Sequence, residues 1–218
     1  MHLNKIMRLL ALAALIVSAK GCQQHSAGQA ERSPEAATAQ ASAVELSTAL
    51  KPVVEGAIEQ TRYTVSYDPS YVKIAYPGGD LPLDRGVCAD VIVRAFRKGG
   101  VDLQKEVHED MQRNFSAYPN KWGMSRPDTN IDHRRVPNLM TYFKRMRKAV
   151  NITDEAKDYL PGDVVAWDLG NGLLHIGIVT NARAQGGKNL SLVHNIGAGA
   201  RLEDVLFSWR IIGHYRYF

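Results

Sequence analysis

Residues 163–180 read DVVAWDLGNGLLHIGIVT. Asp163 to Asp168 alternates as a strand, and Leu174 to Thr180 reads as a second one. Asn171-Gly172 between them is a hairpin signal, because both positions accept positive φ. The turn-rich stretch Gln185-Gly186-Gly187-Lys188-Asn189 follows, then two more strand patterns, Leu190 to Asn195 and Arg210 to Tyr217. Upstream the period changes. Leu50, Val53, Val54, Ala57 and Ile58 recur at helical spacing within Ser47 to Arg62, with Pro52 in the first turn. A second helix is expected from Val87 to Lys98. Its apolar stripe is Val87, Val91, Ile92, Ala95 and Phe96, with Arg94, Arg97 and Lys98 towards water, and Gly99-Gly100 supply a left-handed cap. Residues 104–149 look helical and polar, with a loop around Ser125 to Asp132. Helices first and an antiparallel meander after them make the class α+β.

The N-terminal segment has another character. Lys5 and Arg8 precede a nine-residue apolar run, Leu9 to Val17, too short to span a bilayer, and small residues follow it. Met1 to Cys22 therefore reads as a signal peptide. Its end, Ser18-Ala19-Lys20-Gly21-Cys22, resembles a bacterial lipoprotein cleavage box, in which the cysteine receives lipid. Lipidation and ordinary cleavage both remain open, and either places the domain outside the cytoplasm. Gln23 to Ala43 is rich in Ala, Gln, Ser and Glu and lacks aromatic residues, so it reads as a flexible tether. The domain proper is expected over 44–218. The chain carries a net charge of +5; its 27 Lys and Arg less Lys5, Arg8 and Lys20 leave 24 against 22 acids. That balance does not suggest a nucleic-acid partner.

Of the two cysteines, Cys22 and Cys88, Cys88 opens the second helix, where unpaired amides and the helix dipole favour a thiolate. A small buried core residue is the alternative. A nucleophilic thiol needs an imidazole, and His175 stands mid-strand in Leu174-His175-Ile176-Gly177. His194 on the following strand pattern falls within reach of His175 and would hold its tautomer. Asp90 reads as a first-turn carboxylate favoured by the dipole or as an electrostatic aid to the site. His133-Arg134-Arg135 reads as a solvated basic turn or as a grip for a substrate carboxylate. His133 with Asp128 or Asp132 has no second His or Cys at ligand spacing, so no metal and no cofactor are expected. Trp167 and Trp209 read as core residues; stacking on sugars is the alternative for them and for Trp122.

The ordered set of these pieces resembles the NlpC-type cell-wall cysteine peptidases, a branch of the papain-like fold. Tyr76-Pro77-Gly78-Gly79 is similar to a segment before that family's nucleophile. Pro161-Gly162-Asp163-Val164-Val165 is similar to the strand before its base. His175-Ile176-Gly177-Ile178 is similar to the base strand, and Val193-His194-Asn195 falls where a third polar residue stands. The likeness covers roughly 71–217. It implies helices packed on a C-terminal antiparallel sheet, with the nucleophile at a helix N-terminus. It implies Cys88, His175 and His194 as catalytic residues, with Tyr76, Asp90, Asn195 and Arg134 supporting them. The activity implied is hydrolysis of an amide bond in peptidoglycan stem peptides, between a D-glutamyl residue and a diamino acid. Two departures stand out: Val87-Cys88-Ala89-Asp90 replaces Asp-Cys-Ser-Gly, and the insertion from about 101 to 160 is long. Its Pro127 to Arg135 stretch looks more like the YijF-like bacterial proteins. The rival reading keeps the fold without catalysis, as an envelope lipoprotein that binds wall peptide or a partner protein.

Overall fold

The computed structural model describes residues 46–218. The expected signal peptide, the expected tether and Cys22 lie outside the described residues. Helix α1 (Lys51–Glu59) begins with Pro52 in its first turn and runs on into a 3-10 turn at Gln60–Arg62. Two short parallel strands follow, β1 (Ser66–Tyr67) and β2 (Arg85–Gly86). Helix α2 (Cys88–Lys98), helix α3 (Leu103–Asn114) and helix α4 (Val136–Arg145) complete the helical half. Strands β3 (Val164–Asp168), β4 (Leu174–Val179), β5 (Leu192–Asn195), β6 (Ala200–Glu203) and β7 (Arg210–Tyr215) form one antiparallel sheet. The class is α+β, helices first, as the sequence order implies.

Strand order is β6-β5-β4-β3-β7. The meander expected from sequence holds for β3 to β5, and β6 extends it. The last strand then returns to pair with β3 on the far side. Strand β6 was not anticipated, because Ala-Arg-Leu-Glu shows little apolar alternation. It is held from outside as well, by an amide of Ala200 donating to the Thr64 carbonyl at 2.8 Å. Gly199 permits this approach: its φ is +85°, and a Cβ there would stand 2.4 Å from the Thr64 oxygen.

Alternation along the strands sorts their side chains onto two faces. Val164, Ala166, Ile176, Ile178 and Val193 face the helices, against Ala89, Ile92 and Phe96 of α2 and Leu139 and Phe143 of α4. Val165, Trp167, Val179 and Leu192 face the other way, under Tyr159 and Leu206. Trp167 and Trp209 thus lie in or against this second core, as their sequence context suggests. Among the described residues no helix is long and apolar enough to cross a membrane.

Arg94 departs from its expected place. It is buried, not turned to water, because an ion partner waits inside. Its guanidinium donates to Asp80 at 2.9–3.1 Å and to the Arg85 carbonyl at 3.0 Å. It thereby pins the segment before Cys88 to the middle of α2. Arg94→Met leaves that carbonyl without a donor and Asp80 with only the Leu81 amide and the more distant Arg97. We expect a loss of roughly 3 kcal/mol, the lower end for a buried pair since Asp80 keeps some contact with water, read as a lower urea midpoint.

His133 is also buried rather than solvated. Burial, aided by the Arg97 and Arg134 charges, pushes its pKa down to about 3. An unfolded histidine binds its proton near pH 6.5. Between these values the unfolded chain holds the extra proton, so stability is full above pH 6.5 and falls as pH drops towards 3. Urea midpoints measured at falling pH will show this decline, and His133→Leu will make it shallower.

Candidate active site

Cys88 is the first residue of α2. Val87 before it is extended, and the Asp90 carboxylate reaches back to accept the Val87 amide at 2.6 Å, one half of a capping box. The thiol is 4 % exposed and lies on the wall of a cleft of about 550 Å³. Tyr67, Trp122, Arg135 and Leu174 line the same cleft.

The environment of the sulfur follows from the register of β4. Val179 donates its amide to Asp163 of the β3 side, and Leu169 donates to Leu173. In an antiparallel pair the amides alternate in direction, so the odd-numbered residues of β4 turn theirs to β3. The even-numbered ones point towards β5. Strand β5 pairs only with Ile178 and Val179, then diverges. The Ile176 amide is thereby left free, and it is aimed at the Cys88 sulfur.

The expected helix-terminus effect on the thiol is present but loses. Burial raises the Cys88 pKa to about 12. The Ile176 amide opposes it, the Asp90 carboxylate adds to it, and the amides of Ala89 and Cys88 pull it down. The resting group is a neutral thiol rather than the thiolate that the helix position suggests, because desolvation outweighs the few aligned amides.

His175 belongs to the other face of β4. Its ring lies nearly parallel to Trp167, with centroids 5.6 Å apart, and edge-on to Trp209. Its Nε2 is 2.9 Å from Nδ1 of His194. Burial, then the neighbouring His194, pushes the His175 pKa down to about 3; burial lowers that of His194. The structure therefore joins His175 and His194 directly. It places the Cys88 sulfur against the amide of the residue after His175. No hydrogen bond joins Cys88 to His175 among the described residues, and the free imidazole nitrogen of His175 is Nδ1.

The supporting residues fare unevenly. The Asn195 side-chain amide donates to the carbonyls of Gly86, at 2.9 Å, and Ser66, at 3.1 Å, tying the end of β5 to the strand before Cys88. Asp90 does more than meet a dipole: it forms a buried pair with Arg134, whose Nε is 2.9 Å from Oδ1. Arg134 also donates to the carbonyls of Ser70 and Asp68, each at 2.8 Å. Its guanidinium is committed to the protein, so it is neither a solvated turn nor a free grip for substrate. Tyr76 is a correction. It is half exposed and packs edge-on against His108, centroids 5.0 Å apart, away from the cleft. The aromatic residue that lines the cleft with Cys88 is Tyr67.

Two groups, Tyr67 and Glu203, and one contact, Arg135 on Trp122, escaped the sequence reading. Tyr67 stands in an irregular stretch without a periodic signal. Arg135 lies over the Trp122 ring at 4.0 Å, a contact between residues thirteen apart that no motif announces. Glu203 Oε2 comes to 2.9 Å from His194 Nε2, from a strand that was not anticipated.

A crystal structure of a protein similar to a lipoprotein of the NLP/P60 family, from Staphylococcus aureus subsp. aureus Mu50, aligns with a TM-score of 0.38 and 14 % identity. The alignment covers 81 % of this chain and 44 % of the Staphylococcus chain, so the present protein spans less than half of that one. The uncharacterized protein YijF of Escherichia coli (strain K12) is 57 % identical over 166 residues, which are 76 % of this chain and 80 % of that protein. The model of a domain of unknown function, DUF1287, matches residues 54–217, and the chain belongs to that family.

Proposed function

We propose that this protein is an exported cysteine hydrolase that cleaves an amide bond, with Cys88 as nucleophile, His175 as base and His194 as the group that orients it. One observation carries the reading: the Cys88 sulfur, on the wall of a cleft, meets the free amide of Ile176, next to a histidine whose far nitrogen is held by His194. Both groups rest neutral. As the sulfur bonds to the amide carbon, Nδ1 of His175 takes the thiol proton. The carbonyl oxygen becomes an oxyanion beside the Cys88 amide at the helix N-terminus. His175 returns the proton to the leaving amine, and a thioester remains. Water then attacks that carbon, His175 takes its proton and gives it to the departing sulfur, and a carboxylic acid leaves.

The cleft supports a substrate that bears carboxylates. Lys121, Arg134 and Arg135 line it, and no Asp or Glu does. Arg134 is committed internally and Arg135 is paired with Asp132 at 3.2 Å, which leaves Lys121 as the cation for the ligand, with Arg135 adding its charge to the wall. Stem peptides of peptidoglycan carry such charges, and an exported wall hydrolase would meet them. The leader supports export, and Cys22 supports a lipid anchor in the envelope membrane.

A second reading, a non-catalytic lipoprotein that binds wall peptide or a partner protein in the same cleft, draws on the buried, neutral state of Cys88. Incubation with wall sacculi and mass spectrometry of the released peptides separates the two. We expect Cys88→Ser and His175→Ala each to lower release by at least about a thousandfold without unfolding, with the double variant little worse than either. Additive losses, or no release by wild type, would remove the hydrolase reading. For the anchor, Cys22→Ala is expected to move the protein from the membrane fraction to the soluble one. A wild-type protein already soluble would exclude it.

A further inference from the structure

We propose that Glu203 is a positioning residue for the His175–His194 pair, its carboxylate fixing the tautomers of both rings so that His175 offers a bare Nδ1 to Cys88. The inference rests on the reading of Cys88 and His175 as nucleophile and base.

A neutral imidazole has one N–H. The contact between His175 Nε2 and His194 Nδ1, at 2.9 Å, therefore holds one proton in either of two registers. If His194 donates through Nδ1, His175 must accept at Nε2. Its own proton then sits on Nδ1, where it blocks uptake of the thiol proton. If His175 donates through Nε2, its Nδ1 is bare and the base is competent. The two rings alone do not choose.

Glu203 chooses. Its Oε2 is 2.9 Å from His194 Nε2. In the first register that nitrogen is a lone pair facing a carboxylate oxygen, which is repulsive. In the second it carries the proton and donates to Glu203. Water cannot take over this task, since His194 is fully buried and its Nε2 has no other partner within reach. The present contact is close but off the line of a hydrogen bond. The Glu203 side chain is about half exposed and has room to turn into line.

The groups around His194 are few. His175 comes from β4. Glu203 and Arg201 come from β6, and Arg201 stands opposite His194 in register with its side chain at the surface. Trp209 closes the remaining side and does not titrate. Glu203 is thus the anion placed to balance the charge that His175 gains when it takes the thiol proton.

Two measurements test the proposal on the full chain. The first is nitrogen-15 NMR of the ring nitrogens in wild type at neutral pH. Both His175 and His194 should be N–H at Nε2, and a proton on Nδ1 of either overturns the proposal. The second is alkylation of Cys88 by iodoacetamide against pH, followed in the Cys88 peptide by mass spectrometry so that Cys22 does not interfere. Glu203→Ala should slow alkylation at neutral pH on the order of tenfold and move the profile to higher pH. Glu203→Gln keeps an acceptor oxygen and should restore most of the rate. Equal rates in the Gln and Ala variants would overturn the tautomer role. If Glu203→Ala matches wild type while His175→Ala is slow, Glu203 is dispensable and the Cys88–His175 reading survives. If His175→Ala also matches wild type, the base reading falls, and this proposal with it.

Discussion

The site depends on a divergence between two strands. Strands β4 and β5 pair at Ile178 and Val179 and then part, which strips the Ile176 amide of a strand partner. A buried amide without an acceptor is costly, and the Cys88 sulfur fills the position. The gap is kept open from the other side. Asn195, where β5 would otherwise continue against Ile176, spends its side-chain amide on the Gly86 and Ser66 carbonyls. The same two bonds set the height of Gly86, and with it the start of α2. One departure from regular pairing therefore places the thiol against the strand of His175 and sets the strand that leads into the helix.

The electrostatics of Cys88 are a contest with a clear order. Desolvation is the largest influence and raises the pKa to about 12, against three amides that lower it. The helix N-terminus favours an anion here, but the thiol is nearly closed off and the hydration a thiolate would lose outweighs that preference. The histidines are governed by the same burial in the opposite sense and remain neutral. In the proposed reaction, a neutral thiol and a neutral imidazole would make proton transfer part of the attack rather than a preliminary to it.

Much of this was legible in the chain. The strands at 163–168 and 174–180 announce themselves by alternation around Asn171-Gly172, and both residues take positive φ, at 53° and 78°. The α2 helix follows from its stripe and its double glycine, of which Gly100 is the left-handed one. His194 was found because adjacent strands share faces. The failures have one physical source. Arg94, Arg134 and His133 were read as solvated because charge suggests a surface. Each is buried against partners from distant segments, which local pattern does not carry. Tyr76 was placed by resemblance, and the tyrosine that lines the cleft with Cys88 is Tyr67, held by the short parallel pairing of β1 with β2. Glu203 belongs to an edge strand whose pairing, not its own pattern, makes it a strand.

The surroundings of Cys88 have a structural reason of their own. Asp90 sits where a carboxylate raises the thiol pKa, which looks like a fault in a helix that should activate it. The carboxylate is not alone. Arg134 lies against it within 3.2 Å through two nitrogens, so the buried unit as a whole is neutral. That guanidinium also holds the carbonyls of Asp68 and Ser70, which belong to the segment carrying Tyr67 into the cleft. The long insertion between α2 and the sheet supplies Arg134, and with it Trp122 and Arg135 on the cleft wall. Asp90 and the insertion are thus one device. The carboxylate starts the helix of Cys88 by accepting the Val87 amide, and the arginine it recruits brings the wall of the cleft down beside the sulfur. A glycine or serine at position 90 would keep the thiol less opposed but would leave Arg134 buried without its anion, and the wall would lose its anchor.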